Sequence, residues 1–252
     1  MNIDAIKDLL MRVADDDLVM GHRNSEWTGL GPILEEDIAF SSMAQDEVGH
    51  AQAYYTLLQA VLGYGDPDQL AFNRKADAFR CAKIVEYPIG DYAFSLVRHM
   101  LYDIAESVRL EAMSRGNYRP LSELAKKLLR EERYHFLHAQ TWLRQLGNAT
   151  EEANNRLQTA LDELFPMAYG LFEPTSFSSE LAAEGILPLE SELEKIWESN
   201  VEDLVSQSGL KLPVVQDKTA YYGGRQGLHT EHLEGMLREM DEVFAIDPTA
   251  TW

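Results

Sequence analysis

The sequence predicts an all-α protein, a four-helix bundle with additional helices at its C-terminal end. Three observations carry this. Apolar residues recur at helical spacing along most of the 252 residues, runs of alternating apolar and polar residues are scarce, and Pro and Gly fall together in a few short gaps. The pattern places helices at residues 3–24, 33–62, 91–115, 119–146, 152–170, 189–207 and 229–244.

The first two helices are separated by Gly29 to Pro32 and the next two by Gly116 to Pro120. Gly can end a helix and Pro can open the next, so each pair reads as a hairpin. Between the hairpins runs a link from about residue 63 to 90, marked by Gly63 to Pro67 and by Pro88 to Gly90. A long crossover between the second and third helices is what a ferritin-like bundle requires. The fourth helix stops at Gly147 to Thr150, and beyond it shorter helices are separated by Pro166, Pro174, Pro188 and Pro213 and by the Gly223-Gly224 turn. No stretch is rich enough in Gly, Ser or Pro to divide the chain. Residues 1–252 therefore read as a single domain, with a core bundle over about 3–146 and a packed helical extension over about 151–252.

Composition narrows the function classes. A 45% hydrophobic content supplies a sizeable core. The single cysteine, Cys81, excludes an intramolecular disulfide and any Cys-rich metal site, which suits a reducing cytosol and a cytoplasmic location. The N-terminal residues lack a secretory pattern and no apolar run is long enough to span a bilayer. A net charge of -20, from 42 acidic and 22 basic side chains, should repel nucleic acid and anionic lipid. The acidic excess leaves three readings: a solvated surface, carboxylates gathered round cations, or a face for a basic protein partner. No Gly-rich phosphate loop or nucleophile elbow is present, so no nucleotide cofactor is expected.

Two Glu-x-x-His sequences occur inside predicted helices, Glu47-Val48-Gly49-His50 and Glu132-Arg133-Tyr134-His135. At i and i+3 the two side chains share one helix face, so each helix can offer a carboxylate and an imidazole to one metal centre. Two such pairs are unremarkable on composition alone; the spacing raises the signal. Asp17 stands 30 residues before Glu47 and Asp103 stands 29 before Glu132. A ferritin-like dinuclear site takes one carboxylate from each of two helices and a Glu-x-x-His from each of the others. Here Asp17, Glu47 and His50 form one half, and Asp103, Glu132 and His135 the other. Glu106, one turn beyond Asp103, is a possible extra ligand or an acceptor behind the ligands. Carboxylates with two imidazoles and no thiolate suit iron or manganese better than tetrahedral zinc, so the expected cofactor is a di-iron centre. The same residues also allow a structural reading, in which Asp15 to Asp17 form a solvent-facing acidic run, Glu131 and Glu132 pair with Arg130 or Arg133, and the histidines are core residues. Against it stands the cost of burying several carboxylates with no neutralising cation.

Other motifs read as structural. His229 and His232 lie at i and i+3, but the glycines before them suggest a tight turn, and Thr230 suits a helix cap. Tyr54, Tyr55, Tyr102 and Tyr134 lie near the proposed ligands, and could line a substrate cavity; helical spacing favours core packing for them, and for Trp27 and Trp142.

At these residues the sequence resembles the phenylacetate-degradation oxygenases. The resemblance covers essentially the whole chain and is clearest at Arg23 to Gly29 (RNSEWTG), Arg133 to Arg144 (RYHFLHAQTWLR) with Leu146-Gly147-Asn148, and Gly223 to Met236 (GGRQGLHTEHLEGM). The last stretch looks like the C-type members of that family and not its catalytic A-type members. The resemblance implies a ferritin-like fold and a cytoplasmic bacterial complex that converts phenylacetyl-CoA to its ring epoxide with O₂ and a separate reductase subunit. It also implies that the di-iron centre resides in the A-type member and that the C-type member is a structural partner with a degenerate site. This sequence departs from that pattern, because Asp17, Glu47, His50, Asp103, Glu132 and His135 match the A-type ligand motif, including Gln45-Asp46-Glu47-Val48-Gly49-His50. Three functions stay open: an accessory subunit that retains a metal site and works beside a homologous catalytic partner, a di-iron oxygenase in its own right, alone or as a homodimer, and a ferritin-like metal-binding protein with no organic substrate. An aromatic acyl-CoA is the substrate expected at the level of the complex. The -20 charge offers little steering for CoA phosphates, which modestly favours a basic partner holding them.

Overall fold

Each of the seven helices expected from the periodicity forms, with ends displaced by less than one turn. The computed structural model describes residues 2–247, and no strand occurs among them. Helix α1 (Ile3–Ser25) and α2 (Leu34–Leu62) make the first hairpin. The link carries two short helices, α3 (Pro67–Phe72) and α4 (Lys83–Glu86). Helices α5 (Tyr92–Ser114) and α6 (Arg119–Gly147) make the second hairpin. Helices α7 (Glu151–Ala168), α8 (Ser178–Ala183), α9 (Glu190–Gln207) and α10 (Glu231–Asp241) follow.

Local chemistry fixes the helix ends. Asn2 caps α1 by accepting from the N–H groups of Asp4 and Ala5, Asp91 caps α5 by accepting from Phe94, and Thr150 caps α7 by accepting from Ala153. Gly63 closes α2 in the left-handed conformation, φ +59°, which side chains disfavour. Three short helices, α3, α4 and α8, escape sequence reading because four to six residues give no usable periodicity. Pro166, expected to separate helices, instead lies inside α7, near its end. There its missing N–H removes a single helical hydrogen bond, and the chain continues as a 3₁₀ turn over Tyr169–Phe172.

Helices α7 and α9 pack on the bundle mainly through α5, whereas α8 meets α1 and α10 meets the link. Trp197 of α9 is fully buried, stacks on Phe165 of α7 at 5.3 Å, and donates its indole N–H to the Leu101 carbonyl of α5 at 3.0 Å. Helices α2 and α6 run antiparallel, as successive contacts show: Glu36 with His138, Asp46 with His135 and His50 with Glu131. On the other side of α2, Gly21 lets α1 approach closely. A Cβ there would lie 2.9 Å from Val48 Cγ2 and 3.0 Å from Glu47 Cβ. This approach, one turn beyond Asp17, compensates for an aspartate being one methylene shorter than glutamate.

Candidate metal centre

Three consecutive aspartates on α1 organise the interior. Asp15, Asp16 and Asp17 are all fully buried, so the solvent-facing reading of this run fails. At about 100° per residue they point in three directions, and each meets a different part of the chain. Asp15 accepts from Arg74 at 3.0 Å, from the Arg80 N–H at 2.7 Å and from the Tyr55 hydroxyl. Asp16 takes both ends of the Arg225 guanidinium, at 2.8 and 2.7 Å, and the Ala82 N–H at 2.7 Å. Asp17 turns toward α2 and α5, where Tyr102 donates to its Oδ1 and its Oδ2 has no hydrogen-bond partner.

The six residues singled out by spacing come together in the bundle core, all fully or almost fully buried. Donor atoms of Asp17, Glu47 and His50 lie within 4.8 Å of one another, as do those of Glu47, Glu132 and His135. Glu47 belongs to both groups. Glu132 Oε1 likewise lies 3.2 Å from His135 Nδ1 and 3.7 Å from His50 Nδ1, between the two imidazoles. Asp103 joins a third group with His135 and His99, a residue one turn before it on α5; His99 Nδ1 is 3.2 Å from Asp103 Oδ1.

The outward nitrogens of the two motif histidines are held by carboxylates in a reciprocal arrangement. His50 Nε2 donates to Glu131 Oε2 at 2.8 Å, and His135 Nε2 donates to Asp46 Oδ2 at 3.2 Å. Each acceptor is the residue immediately before the other helix's glutamate. Both are 41% exposed, so the inner ligands are backed by a half-wet outer ring. Such bonds keep a proton on Nε2, so that Nδ1 is the nitrogen left to face inward, where a metal ion would take the place of any proton it carries. Sequence reasoning misses this role of Asp46 and Glu131, although an acidic residue before each Glu-x-x-His glutamate is a visible signal.

The inward atoms are conspicuously unpartnered. Both oxygens of Glu47, Glu132 and Asp103, Oδ2 of Asp17, Oε1 of Glu106 and Nδ1 of His50 and His135 make no hydrogen bond. A buried polar atom left so costs about 1–3 kcal/mol, and more if charged. Burial raises the pKa values of Asp17, Glu47, Asp103 and Glu106, with further upward pressure from the carboxylates around them; Glu106 is pushed up to about 7. Burial opposes charge on His135, but the nearby Glu132, Asp46 and Glu47 raise its pKa overall. A cation is the component that satisfies this donor set, so the residues present fit a dinuclear ion centre. Glu106 stands slightly apart: its Oε2 accepts from Arg109 at 2.9 Å, so its charge already has a partner.

The remaining candidates separate cleanly. Tyr54, Tyr55 and Tyr102 are fully buried, whereas Tyr134 is 74% exposed and packs in no core; it follows Arg133 round α6 onto the solvent face. Trp27 packs against Phe40 and Tyr92 in a small separate cluster. Trp142 packs against the main core. Glu131 does not pair with Arg130 or Arg133 but with His50. Thr230 caps α10, as its position suggests, and Thr230 and His229 together bind Glu86 of the link, with His229 Nδ1 at 2.7 Å from Oε1. Cys81 Sγ lies 3.9 Å from His229 Nδ1, a proximity that no sequence pattern suggests, but both nitrogens of His229 and both oxygens of Glu86 are already hydrogen-bonded.

The comparisons with known proteins accord with this geometry. The family model described as phenylacetic acid catabolic protein matches residues 1–252. The chain belongs to this family. It is similar to the C component of the 1,2-phenylacetyl-CoA epoxidase of Escherichia coli (strain K12), at 31% identity over 242 residues, covering 96% of this chain and 97% of that component. A weaker similarity, 25% over 161 residues, links 64% of the chain to 51% of the A component of the same epoxidase. The expected likeness to the C-type side of the family is borne out. Among the described residues, no helix of this family member is long and apolar enough to cross a membrane.

Proposed function

We propose that this chain is an accessory subunit of a cytoplasmic multicomponent oxygenase acting on phenylacetyl-CoA, and that it retains a dinuclear metal centre of the di-iron type. The observation that carries the role is the similarity to the epoxidase C component over nearly the whole length of both chains. The metal centre is supported by the six converging ligand side chains and their orphaned donor atoms.

Asp17, Glu47 and His50 would hold one ion and Asp103, Glu132 and His135 the other. Four carboxylates balance two divalent cations, which removes the electrostatic penalty of the uncompensated cluster. A ferrous pair held there would supply the electrons for reductive activation of O₂. The protein's own contribution is orientation. Glu131 and Asp46 orient the histidine rings, Tyr102 holds one oxygen of Asp17 and leaves the other free, and the fully buried Tyr54 lies beside Asp17, Glu106 and Glu132. An acyl-CoA would be met at the level of the complex, its phosphates held by a more basic partner than a chain of charge -20.

The complete ligand set favours one second reading, that the chain is itself a catalytic oxygenase. Metal content distinguishes the possibilities first. Protein reloaded anaerobically with Fe(II) should retain about two irons per chain, and a Glu47→Ala, Glu132→Ala variant should retain none. Oxygen consumption with phenylacetyl-CoA is then measured with and without a homologous catalytic partner. Turnover only with the partner supports the accessory role; turnover by the chain alone supports the second reading. A folded parent that binds no iron refutes the metal centre and leaves a scaffold protein.

A further inference from the structure

We propose that His99 is a metal ligand, a third imidazole that completes the second ion site with Asp103 and His135. The inference rests on the metal centre proposed above and adds to it a residue outside the two Glu-x-x-His motifs.

The argument begins with the two ring nitrogens. His99 is fully buried on α5, one turn before Asp103, so both side chains point to the same face. Its Nε2 lies 2.8 Å from the Met43 sulfur. A thioether has no hydrogen to give and can only accept, so Nε2 carries the proton. In the neutral ring Nδ1 is then a bare lone pair. That lone pair faces Asp103 Oδ1 at 3.2 Å, and neither atom has a hydrogen-bond partner. Two acceptors that close, sealed from water, need either a shared proton or a metal ion. Donor atoms of His99, Asp103 and His135 all lie within 4.8 Å of one another, and the His99 and His135 rings are 5.6 Å apart.

Charge balance points the same way. The four carboxylates Asp17, Glu47, Asp103 and Glu132 already neutralise two divalent ions, and the remaining carboxylate, Glu106, is neutralised by Arg109 at 2.9 Å. A further donor at the second ion should therefore be uncharged, as imidazole is, and not Glu106. The two halves of the centre differ accordingly. On Asp17 the helix-α5 neighbour is the Tyr102 hydroxyl, a hydrogen-bond donor; on Asp103 it is the His99 nitrogen, a metal donor. One ion receives one imidazole and the other two.

Cobalt(II) substitution tests this without recourse to activity. An imidazole bound through Nδ1 shows one paramagnetically shifted, solvent-exchangeable Nε2–H resonance in the proton NMR spectrum. The loaded parent should show three such resonances and His99→Gln two, with binding of the second cobalt weakened at least tenfold and the first little changed. A crystal of the cobalt-loaded parent, which needs no variant, should place an ion in bonding contact with His99 Nδ1. Two resonances in the loaded parent, or an ion out of reach of His99, would overturn the assignment and leave His99 as a protonated partner of Asp103. No cobalt bound at all would overturn the metal centre itself and this assignment with it.

Discussion

Asp16 and Asp17 are sequence neighbours and equally buried, yet the interior treats them in opposite ways. Asp16 sits among arginines, with a bidentate bond from Arg225 and Arg109 at 4.0 Å. Asp15 likewise has Arg74. Asp17 faces Glu47 and Glu106, and the guanidinium of Arg109 is committed to Glu106. A buried carboxylate is tolerable when a fixed cation accompanies it. The difference teaches that the arginine-paired region is complete as the chain folds, whereas the Asp17 region is left short of positive charge by roughly the amount two divalent ions supply.

Breaking the complete region should have the largest effect. Arg225→Met removes the bidentate partner of Asp16 and three hydrogen bonds to the carbonyls of Arg12, Arg80 and Leu171. A loss of about 3–5 kcal/mol is expected, equal in metal-free and metal-loaded protein, as measured by urea unfolding. The incomplete region should respond to metal instead. At about 100 times its dissociation constant, a bound ion should stabilise the parent by about 2.7 kcal/mol, and Glu47→Gln, Glu132→Gln should show no such gain. A similar gain in the variant would remove these glutamates from the site.

Smaller changes sharpen the contrast. Replacing an outer carboxylate, Glu131→Ala or Asp46→Asn, should weaken metal binding about 10- to 100-fold while leaving the metal-free protein's unfolding midpoint nearly unchanged; an isothermal titration against both variants checks this. The last effect concerns pH. Burial raises the pKa values of Asp17, Glu47, Asp103 and Glu106 above their unfolded values, Glu106 to about 7. The folded, metal-free protein therefore holds protons that the unfolded chain releases near pH ~4. Its stability is fullest below that range and should decline as pH rises through about 7. Metal-loaded protein should lose this decline, because ions replace the protons; a slope that persists after loading would mean that the carboxylates do not meet the metal.

Much of this was legible in the chain itself. Helical periodicity and the Gly and Pro breaks determined the two hairpins and the long link, because helices are local structures whose ends are set by neighbouring residues. The Glu-x-x-His pairs and the matching offsets to Asp17 and Asp103 picked out the six clustered side chains, because i and i+3 share a face whatever surrounds the helix. What the tertiary structure alone decided is how each charge is satisfied. Arg74 and Arg225 lie 59 and 209 residues from the aspartates they neutralise, and no local pattern connects them. His99 became visible only when α2 brought Met43 against one of its nitrogens and left the other facing Asp103. Tyr134 turned to solvent because its helix had already given its inward face to Glu132 and His135. Periodicity tells which residues share a face; only packing tells what that face meets.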